Sequence, residues 1–157
     1  MLLVLFQMGK YKYGISTDDI LEIIPMVETR ELPKTPDYIL GIFDYHGHVV
    51  PLIDLCKMTT GEFAKRVLST RIIIAKLKDP HKKNDMIGLL AEKMTDNLEV
   101  DPKDFEDPGV AASKDALYLG SIVKVDNDYI QYVDIHSLLS EETRRSLFQD
   151  EEESTTH

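Results

Sequence analysis

The sequence predicts a mainly β domain of about nine or ten short strands, folded as a barrel or a sandwich. Short apolar runs rich in β-branched and aromatic residues recur at fairly regular spacing, and turn residues separate them. Helical patterning is limited to short segments, above all near the end of the chain. A polar stretch at residues 59–69, which we interpret as a mobile loop, divides the strands into two groups. Two small packed barrels, each with its own strands, would fit this pattern.

Length and composition limit the classes of function. The 157 residues are enough for one domain with a full core, and 43% apolar with 29% charged residues is typical of a soluble globular protein. The net charge of −10 argues against nucleic acid or an anionic membrane as the main ligand. No run approaches the roughly 20 apolar residues of a membrane helix. The single cysteine, Cys56, excludes an intramolecular disulfide and a cysteine-based metal cluster, and it indicates a reducing, cytoplasmic compartment.

The centre of the chain, residues 37–55, has the clearest local organisation. Two apolar runs, residues 39–45 and 48–53, flank the turn candidate His46-Gly47, so the stretch predicts a hairpin. Pro51 cannot donate a backbone hydrogen bond, which places the second strand at a sheet edge or requires a bulge. The polar tip of this hairpin is the first candidate for a working surface.

The remaining elements follow from the same patterns. We predict further strands at residues 2–7, 11–15, 71–77, 86–91, 97–100, 117–125 and 129–133. Thr17 is the predicted cap of a short helix that Pro25 must end, and residues 135–139 and 141–148 are helical. Residues 79–85 form a surface loop, and residues 150–157 are a disordered acidic tail. The expected core includes Leu5, Ile42, Val50, Ile53, Ile73, Leu89, Ile122 and Val133.

Two places could carry chemistry. Asp44, His46 and His48 have the i, i+2, i+4 spacing that aligns side chains along a strand, and they could ligate a metal such as zinc. Gly47 falls inside this triplet, however, and a turn there would break the shared face. Asp54 could be a catalytic carboxylate, but a helix cap is the preferred interpretation. Catalysis has no motif to support it, and Cys56 has no neighbouring histidine.

Several segments, in the right order, resemble the CheW-like domain of bacterial chemotaxis coupling proteins. Residues 47–55 (GHVVPLIDL) are similar to the family's most recognisable motif, RG-x-x-x-P-x-x-D-L. The other similar segments are residues 5–6 with 13–15, 20–24 (V-x-E-I in the family), 32–33, 35–42, 87–92 (G-L-x-V-D), 119–120 and 134–139. Together they span roughly residues 2 to 140.

The resemblance implies an all-β fold of two five-stranded, SH3-like β-barrels that share a hydrophobic core. Residues 1–149 would be a single CheW-like domain and residues 150–157 its acidic tail. It implies a non-enzymatic, cytoplasmic signalling adaptor with no cofactor, with no nucleic-acid partner and with no direct membrane contact. Its partners would be the cytoplasmic tip of a methyl-accepting chemoreceptor and a CheA-type histidine kinase.

The resemblance also assigns two surfaces. The receptor would meet Ile20, Glu22 and His46, and the kinase would dock near Tyr45, His48 and Val49. His46 stands where the family has an arginine of the receptor-facing surface, which puts the usual receptor contact in doubt, and Glu92 replaces an aspartate. Two alternatives remain open. One is a small metal-binding protein or enzyme that uses Asp44, His46 and His48. The other is a domain of the same fold that serves motility, biofilm formation or development.

Overall fold

The structure, a computed structural model, describes residues 1–78, 85–109 and 116–148. Within these ranges most of the secondary structure is β, as the sequence predicted. The strands are β1 Leu2–Met8, β2 Tyr11–Ser16, β3 Ile20–Pro25, β4 Ile39–Tyr45, β5 His48–Asp54, β6 Arg71–Leu77, β7 Asp85–Ala91, β8 Asn97–Glu99, β9 Leu119–Val125 and β10 Asp128–Val133. The helices are α1 Leu55–Thr60 and α2 Glu141–Phe148, and single 3-10 turns lie at Thr17–Asp19, Pro102–Asp104 and Ile135–Ser137. The predicted tail and residues 79–84 of the predicted surface loop lie outside the described residues.

The strands form two five-stranded sheets, each of which curls into a small SH3-like barrel. The first barrel has the order β8-β1-β2-β10-β9, and the second has the order β3-β6-β7-β5-β4. Strand pairs are antiparallel except β2 with β10 and β5 with β7, which are parallel. None of the helices in the described ranges is long and apolar enough to cross a membrane.

Each barrel is closed by a short backbone bridge between its two outer strands. In the second barrel Arg30, which follows β3, exchanges two hydrogen bonds of 2.8 Å with Ile42 of β4. In the first barrel Glu106, which follows β8, exchanges bonds of 2.7 and 2.8 Å with Ile122 of β9. These bridges satisfy backbone groups that an open sheet would leave unpaired at its edges.

The two barrels repeat the same hairpin 80 residues apart. In β4 and β5, Ile39 pairs with Ile53, and in β9 and β10, Leu119 pairs with Val133, so that each residue number differs by 80. The turns agree as well, because the two turn residues, His46-Gly47 and Asp126-Asn127, all have positive φ. Such turns match the right-handed twist of the strands that they join. No motif in the sequence predicted this internal repeat.

The predicted division of the strands at residues 59–69 was wrong. The second barrel is continuous from β3 to β7, and it is inserted between β2 and β8 of the first barrel. The first barrel is completed when residues 12–14 of β2 pair with residues 130–132 of β10. Local polarity cannot reveal pairing over that distance in sequence. Thr59 and Thr60, predicted as loop, are the end of α1.

The larger of two apolar clusters extends through both barrels. It joins Phe6 and Ile15 of the first barrel to Ile53, Ile73 and Leu89 of the second. Among the predicted core residues, those fully buried are Val50, Ile53, Ile73, Leu89 and Val133, and those only half-buried are Leu5, Ile42 and Ile122. Leu5 packs instead against a smaller cluster inside the first barrel. Ile42 and Ile122 each precede a buried residue on their strand, and successive side chains of a strand face opposite sides.

Pro51 does not lie on an edge strand, as its missing N–H had suggested. β5 lies between β4 and β7, and the nearest register shift is on β4, between Ile39 and Gly41. Pro51 stands opposite Ile42, whose own N–H and C=O bond Arg30 rather than β5. The pairing of β5 with β7 begins one residue later, at Leu52. The proline therefore occupies a position at which neither neighbouring strand requires a donor.

The predicted cap at Thr17 also shifts. Ser16 is the cap, and its Oγ accepts a hydrogen bond of 3.3 Å from the N–H of Asp18. The helical segment is a single 3-10 turn, and the chain enters β3 directly at Ile20. The β-branched residues of this segment, Ile20, Ile23 and Ile24, favour an extended conformation over a second helical turn.

Candidate partner-binding site

Glu22 and Tyr45 meet where the second barrel closes. Glu22 lies on β3 and Tyr45 on β4, which are opposite ends of the sheet order, yet the Tyr45 hydroxyl donates a 2.5 Å hydrogen bond to Glu22 Oε2. Only a curled sheet can bring its two outer strands this close. The resulting seam between β3 and β4 presents polar groups from two distant parts of the sequence at one place on the surface.

His46 adds a third group to this seam. Its Nε2 lies 3.8 Å from the same Glu22 Oε2, and its ring packs edge-on against Tyr45 with centroids 4.5 Å apart. The positive φ of His46, 49°, belongs to the tight turn that directs the side chain back along β4. The histidine side chain is 75% exposed and that of Glu22 47%, so an ion pair here contributes little to stability. The main effect of this contact is to orient the exposed side chains of His46 and Glu22.

The contacts of the seam shift the pKa of Tyr45. The hydrogen bond that its hydroxyl donates to Glu22 raises its pKa above the ordinary value of 10.0, with smaller contributions from burial and from the negative charge of Glu22. Because the pKa is raised, the interaction is fully present below pH 10 and is lost as the pH rises through the shifted value. The Tyr45–Glu22 bond is therefore intact throughout the neutral range.

Replacing Glu22 by glutamine is expected to return the Tyr45 pKa towards 10.0, since it removes the carboxylate that accepts the bond. The carbon signals of the labelled tyrosine ring, followed by NMR against pH, measure this pKa. Asp44→Asn is the matched control, because Asp44 is an exposed carboxylate next to Tyr45 that makes no hydrogen bond with it among the described contacts. Equal pKa values in Glu22→Gln and the parent would contradict the seam as described.

Ile20, the third predicted receptor-facing residue, is only partly available. It lies at the start of β3, is half-buried and packs against the shared core. A register shift between Ile20 and Glu22 interrupts the simple alternation of side chains along β3. The exposed apolar side chains of this strand are instead Leu21 and Ile23, which the sequence analysis did not select. Both flank Glu22 directly.

The residues predicted for the kinase surface lie along the β4–β5 hairpin. Val49, the second residue of β5, is 69% exposed, and His48 beside it is also exposed. Tyr45 pairs with His48 across the hairpin but turns its hydroxyl towards Glu22. Tyr129, which occupies the position of Val49 in the first barrel, is exposed as well.

The metal alternative lacks the geometry that it requires. The tight turn at His46 and Gly47 separates the three proposed ligands, and Asp44 and His48 lie on different strands opposite Val49 and Tyr45. Over residues 1–78, 85–109 and 116–148, no three histidine, cysteine or acidic side chains come together as a metal site. The alternative is therefore not supported.

Asp54 is a structural cap, as predicted. Its Oδ1 accepts a 3.0 Å bond from the N–H of Lys57 at the start of α1, and its Oδ2 accepts a 2.9 Å bond from the N–H of Ala64. The side chain is almost completely buried, and burial raises its pKa against the opposing effect of these bonds. Both oxygens are occupied by the protein itself, which leaves no role for this carboxylate towards a substrate.

Comparison with known proteins connects this architecture to one family. Residues 2–143 match the CheW-like domain family. The chain is 26% identical to the chemotaxis protein CheW of Treponema pallidum, over 92% of this chain and 85% of that protein. It is 25% identical to the CheW of Bacillus subtilis, over 95% and 93%. The crystal structure of the scaffolding protein TtCheW from Thermoanaerobacter tengcongensis superposes with a TM-score of 0.78 at 25% identity, over 90% of this chain and 89% of that one.

Proposed function

The chain belongs to the CheW-like domain family, and from that premise we propose that it is a non-enzymatic adaptor that couples a chemoreceptor to a CheA-type histidine kinase. One observation carries this proposal: the family match and the structural similarity to a scaffolding protein both extend over nearly the whole chain. An adaptor needs surfaces rather than a reactive centre, and the one buried carboxylate that sequence reasoning weighed as catalytic, Asp54, serves as a cap. We propose that the protein acts in the cytoplasm.

We propose that the receptor binds along the β3–β4 seam. Leu21 and Ile23 supply exposed apolar area, and Glu22 and His46 supply charge between and beside them. Apolar contacts surrounded by polar groups are the usual anatomy of a specific interface. Ile20, which the sequence placed at this surface, supports it from below through the shared core. The cytoplasmic tip of a methyl-accepting receptor is the proposed partner.

The histidine at position 46 changes what this surface can do. An arginine would be permanently charged and would offer five donors, whereas histidine offers at most two and titrates near neutral pH. Glu22 is held by Tyr45 in the neutral range, so it remains in place whether or not His46 is protonated. We propose that receptor binding is weaker or more dependent on pH here than it would be with arginine.

We propose that the kinase docks on the exposed part of the β4–β5 hairpin, near Tyr45, His48 and Val49. Val49 offers an exposed apolar anchor, and the strands behind it are buried in the core. A rigid scaffold behind an exposed side chain reduces the entropy lost on binding. The two surfaces share Tyr45, so substitutions at Glu22 and Val49 separate them better than substitutions at Tyr45.

Glu22→Lys is expected to weaken receptor binding by at least about tenfold, because it reverses the charge and removes the acceptor for Tyr45. His46→Ala is expected to weaken it less, because it removes at most two donors and reverses no charge. Binding to a purified cytoplasmic fragment of the organism's own chemoreceptor, measured by calorimetry, gives both values. Circular dichroism checks that the variants are folded.

Two controls make this experiment decisive. Asp104→Lys makes the same change of charge on an exposed turn of the first barrel and should leave receptor binding unaltered. Val49→Ser should weaken binding to the regulatory domain of the kinase more than binding to the receptor. If Glu22→Lys and His46→Ala bind both partners as the parent does, the proposed receptor surface is incorrect.

A further inference from the structure

The loop between α1 and β6 carries an unusual combination of exposed residues. Leu68 is 97% exposed and its neighbour Val67 57% exposed, so two consecutive apolar side chains stand in solvent. Lys65 and Arg66 immediately before them are exposed as well, and Arg71 closes the segment. We refer to residues 65–71 as the basic loop. It contains three cations and no acidic residue in a chain whose net charge is −10.

Hydrogen bonds fix the backbone of the basic loop on both sides of Leu68. The N–H of Val67 donates to Thr70 Oγ1 at 3.0 Å, and the N–H of Thr70 donates to the carbonyl of Val67 at 3.0 Å. Thr70 is buried, and its hydroxyl donates to the carbonyl of Lys65. The guanidinium of Arg71 donates to the carbonyls of Leu68 and Thr70. Leu68 therefore projects from an ordered turn.

The loop is also tied to the body of the second barrel. The N–H of Lys65 donates to a carboxylate oxygen of Glu92, which follows β7. The buried Ala64 precedes it and donates to Asp54. A side chain presented by a pre-ordered backbone binds without the cost of ordering the loop. Val67 and Leu68 therefore differ from the single apolar residues that are scattered over ordinary protein surfaces, because they are adjacent and their backbone is ordered.

The body of the basic loop is remote from the tip of the β4–β5 hairpin, although its last residue, Arg71, pairs with Pro25 of β3. Ala64 is bonded to Asp54 at one end of β5, and the hairpin tip with His46 is at the other end. The seven residues of β5 rise by about 3.3 Å each, which separates the two ends by roughly 20 Å. A partner on Val67 and Leu68 could therefore bind while the tip of the hairpin is occupied, whereas Arg71 borders the strand that carries Ile23.

We propose that the basic loop is a third contact surface, which binds an acidic amphipathic helix of a protein partner. The apolar stripe of such a helix would cover Val67 and Leu68, and carboxylates beside the stripe would pair with Lys65 and Arg66. An anionic membrane is the poorer match, because it would face the chain, with its net charge of −10, over a wide area, whereas a helix meets only the basic loop. The acidic tail, residues 150–157, has carboxylates but no apolar side chain that could cover Leu68.

A synthetic helix tests the proposal directly. The probe is a labelled 18-residue peptide with leucines along one face and glutamates elsewhere, and binding to the full chain is followed by fluorescence anisotropy. Control peptides carry lysine in place of glutamate, or glutamine in place of leucine. We expect binding of the acidic amphipathic peptide alone, weakening as salt is raised, with NMR shifts at the amides of Val67 and Leu68.

Variants of the chain assign the contribution of each residue. Leu68→Ser and the double variant Lys65→Glu/Arg66→Glu are each expected to weaken binding about tenfold. Leu117→Ser, which changes an exposed leucine of the first barrel, should bind as the parent does. The melting temperature should not change in any of them, because these side chains are exposed.

Several outcomes would overturn the proposal. They are no binding of the peptide, equal binding by Leu68→Ser, equal binding of the glutamine control peptide, or tighter binding to vesicles of phosphatidylglycerol than to the peptide. The assay contains neither receptor nor kinase, so its failure leaves the proposed adaptor function untouched. Conversely, Glu22→Lys should bind the peptide normally even if it has lost the receptor.

Discussion

Asp54→Ala is expected to lower the free energy of unfolding by about 2–4 kcal/mol, because one carboxylate satisfies donors from two segments. Loss of the cap leaves the N–H of Lys57 at the start of α1 without its acceptor. Loss of the second bond leaves the N–H of the buried Ala64 unpaired at the base of the loop that precedes β6. The second effect is the larger, since a buried donor without a partner carries its full desolvation cost.

The internal repeat provides a matched control for this substitution. Asp134 caps the turn after β10 just as Asp54 caps α1 after β5, and the backbone N–H of each bonds the carbonyl of a tyrosine, Tyr118 and Tyr38. Asp134 is only half-buried, and it accepts one backbone bond, from His136, and one bond from the exposed hydroxyl of Ser137, which water can replace. Asp134→Ala should therefore cost only about 0.5–1 kcal/mol in urea unfolding. Equal losses in the two variants would contradict the argument.

The cost of Asp54→Ala should also depend on pH. Burial raises the Asp54 pKa above its ordinary 3.8, so the folded state binds this proton more tightly than the unfolded state does. The contribution of the protonated group is fully present below 3.8 and is lost as the pH rises through the folded pKa. The difference between parent and variant should accordingly be larger near pH 4 than at pH 7, in unfolding experiments at the two values.

Local patterns were enough to predict the central hairpin and its cap. Residues 39–45 and 48–53 are mostly apolar runs around a turn that contains glycine, and Asp54 directly precedes a helical turn. Each of these features is decided by residues close together in sequence. The insertion of one barrel into the other is decided by β2 and β10, which are more than a hundred residues apart and pair in parallel. Nothing local marks that pairing.

The repeat was missed because the two hairpins share geometry rather than identity. Of the pairs related by the 80-residue shift between residues 38 and 56, the identical ones are Tyr38 with Tyr118, Ile42 with Ile122, and Asp54 with Asp134. These three pairs make the same backbone hydrogen bonds in both barrels. The tyrosine carbonyl accepts a bond from the N–H of the aspartate, and the isoleucine forms the closing bridge. Between them most residue types differ, as Phe43 does from Val123, because the two hairpins contribute to different apolar clusters.

Prediction of the candidate surface was limited in the same way, because its contacts join distant parts of the sequence. Glu22 and His46 were grouped by resemblance, and the structure brings them together through Tyr45, which was assigned to the other surface. The contact exists because β3 and β4 meet when the barrel closes, and closure depends on the whole sheet. The burial of Ile20 was not predictable for a related reason, because the register shift between Ile20 and Glu22 is set by the pairing of β3 with β6.

Gly41→Ala is expected to destabilise the protein by about 3–5 kcal/mol, the largest effect that we predict for a single methyl group. Gly41 has a φ of +140°, a conformation that residues with a Cβ rarely adopt. A Cβ at this position would lie 2.3 Å from the carbonyl oxygen of Arg30. That oxygen accepts the hydrogen bond from Ile42 that closes the second barrel, so alanine would strain the backbone and push the closing bridge apart.

Gly120→Ala on β9 is the control, because a Cβ there would meet only Tyr132, at an ordinary 3.5 Å. Its unfolding free energy should change by less than about 1 kcal/mol, and a small gain is the more natural direction. Hydrogen exchange at the amides of Arg30 and Ile42 shows whether the loss of stability comes from the closing bridge. Opening of the bridge should accelerate exchange at both amides in Gly41→Ala but not in Gly120→Ala. If Gly41→Ala has the same free energy of unfolding as the parent and these amides stay protected, the bridge tolerates a methyl group. The closure of the second barrel would then be looser than the backbone distances imply.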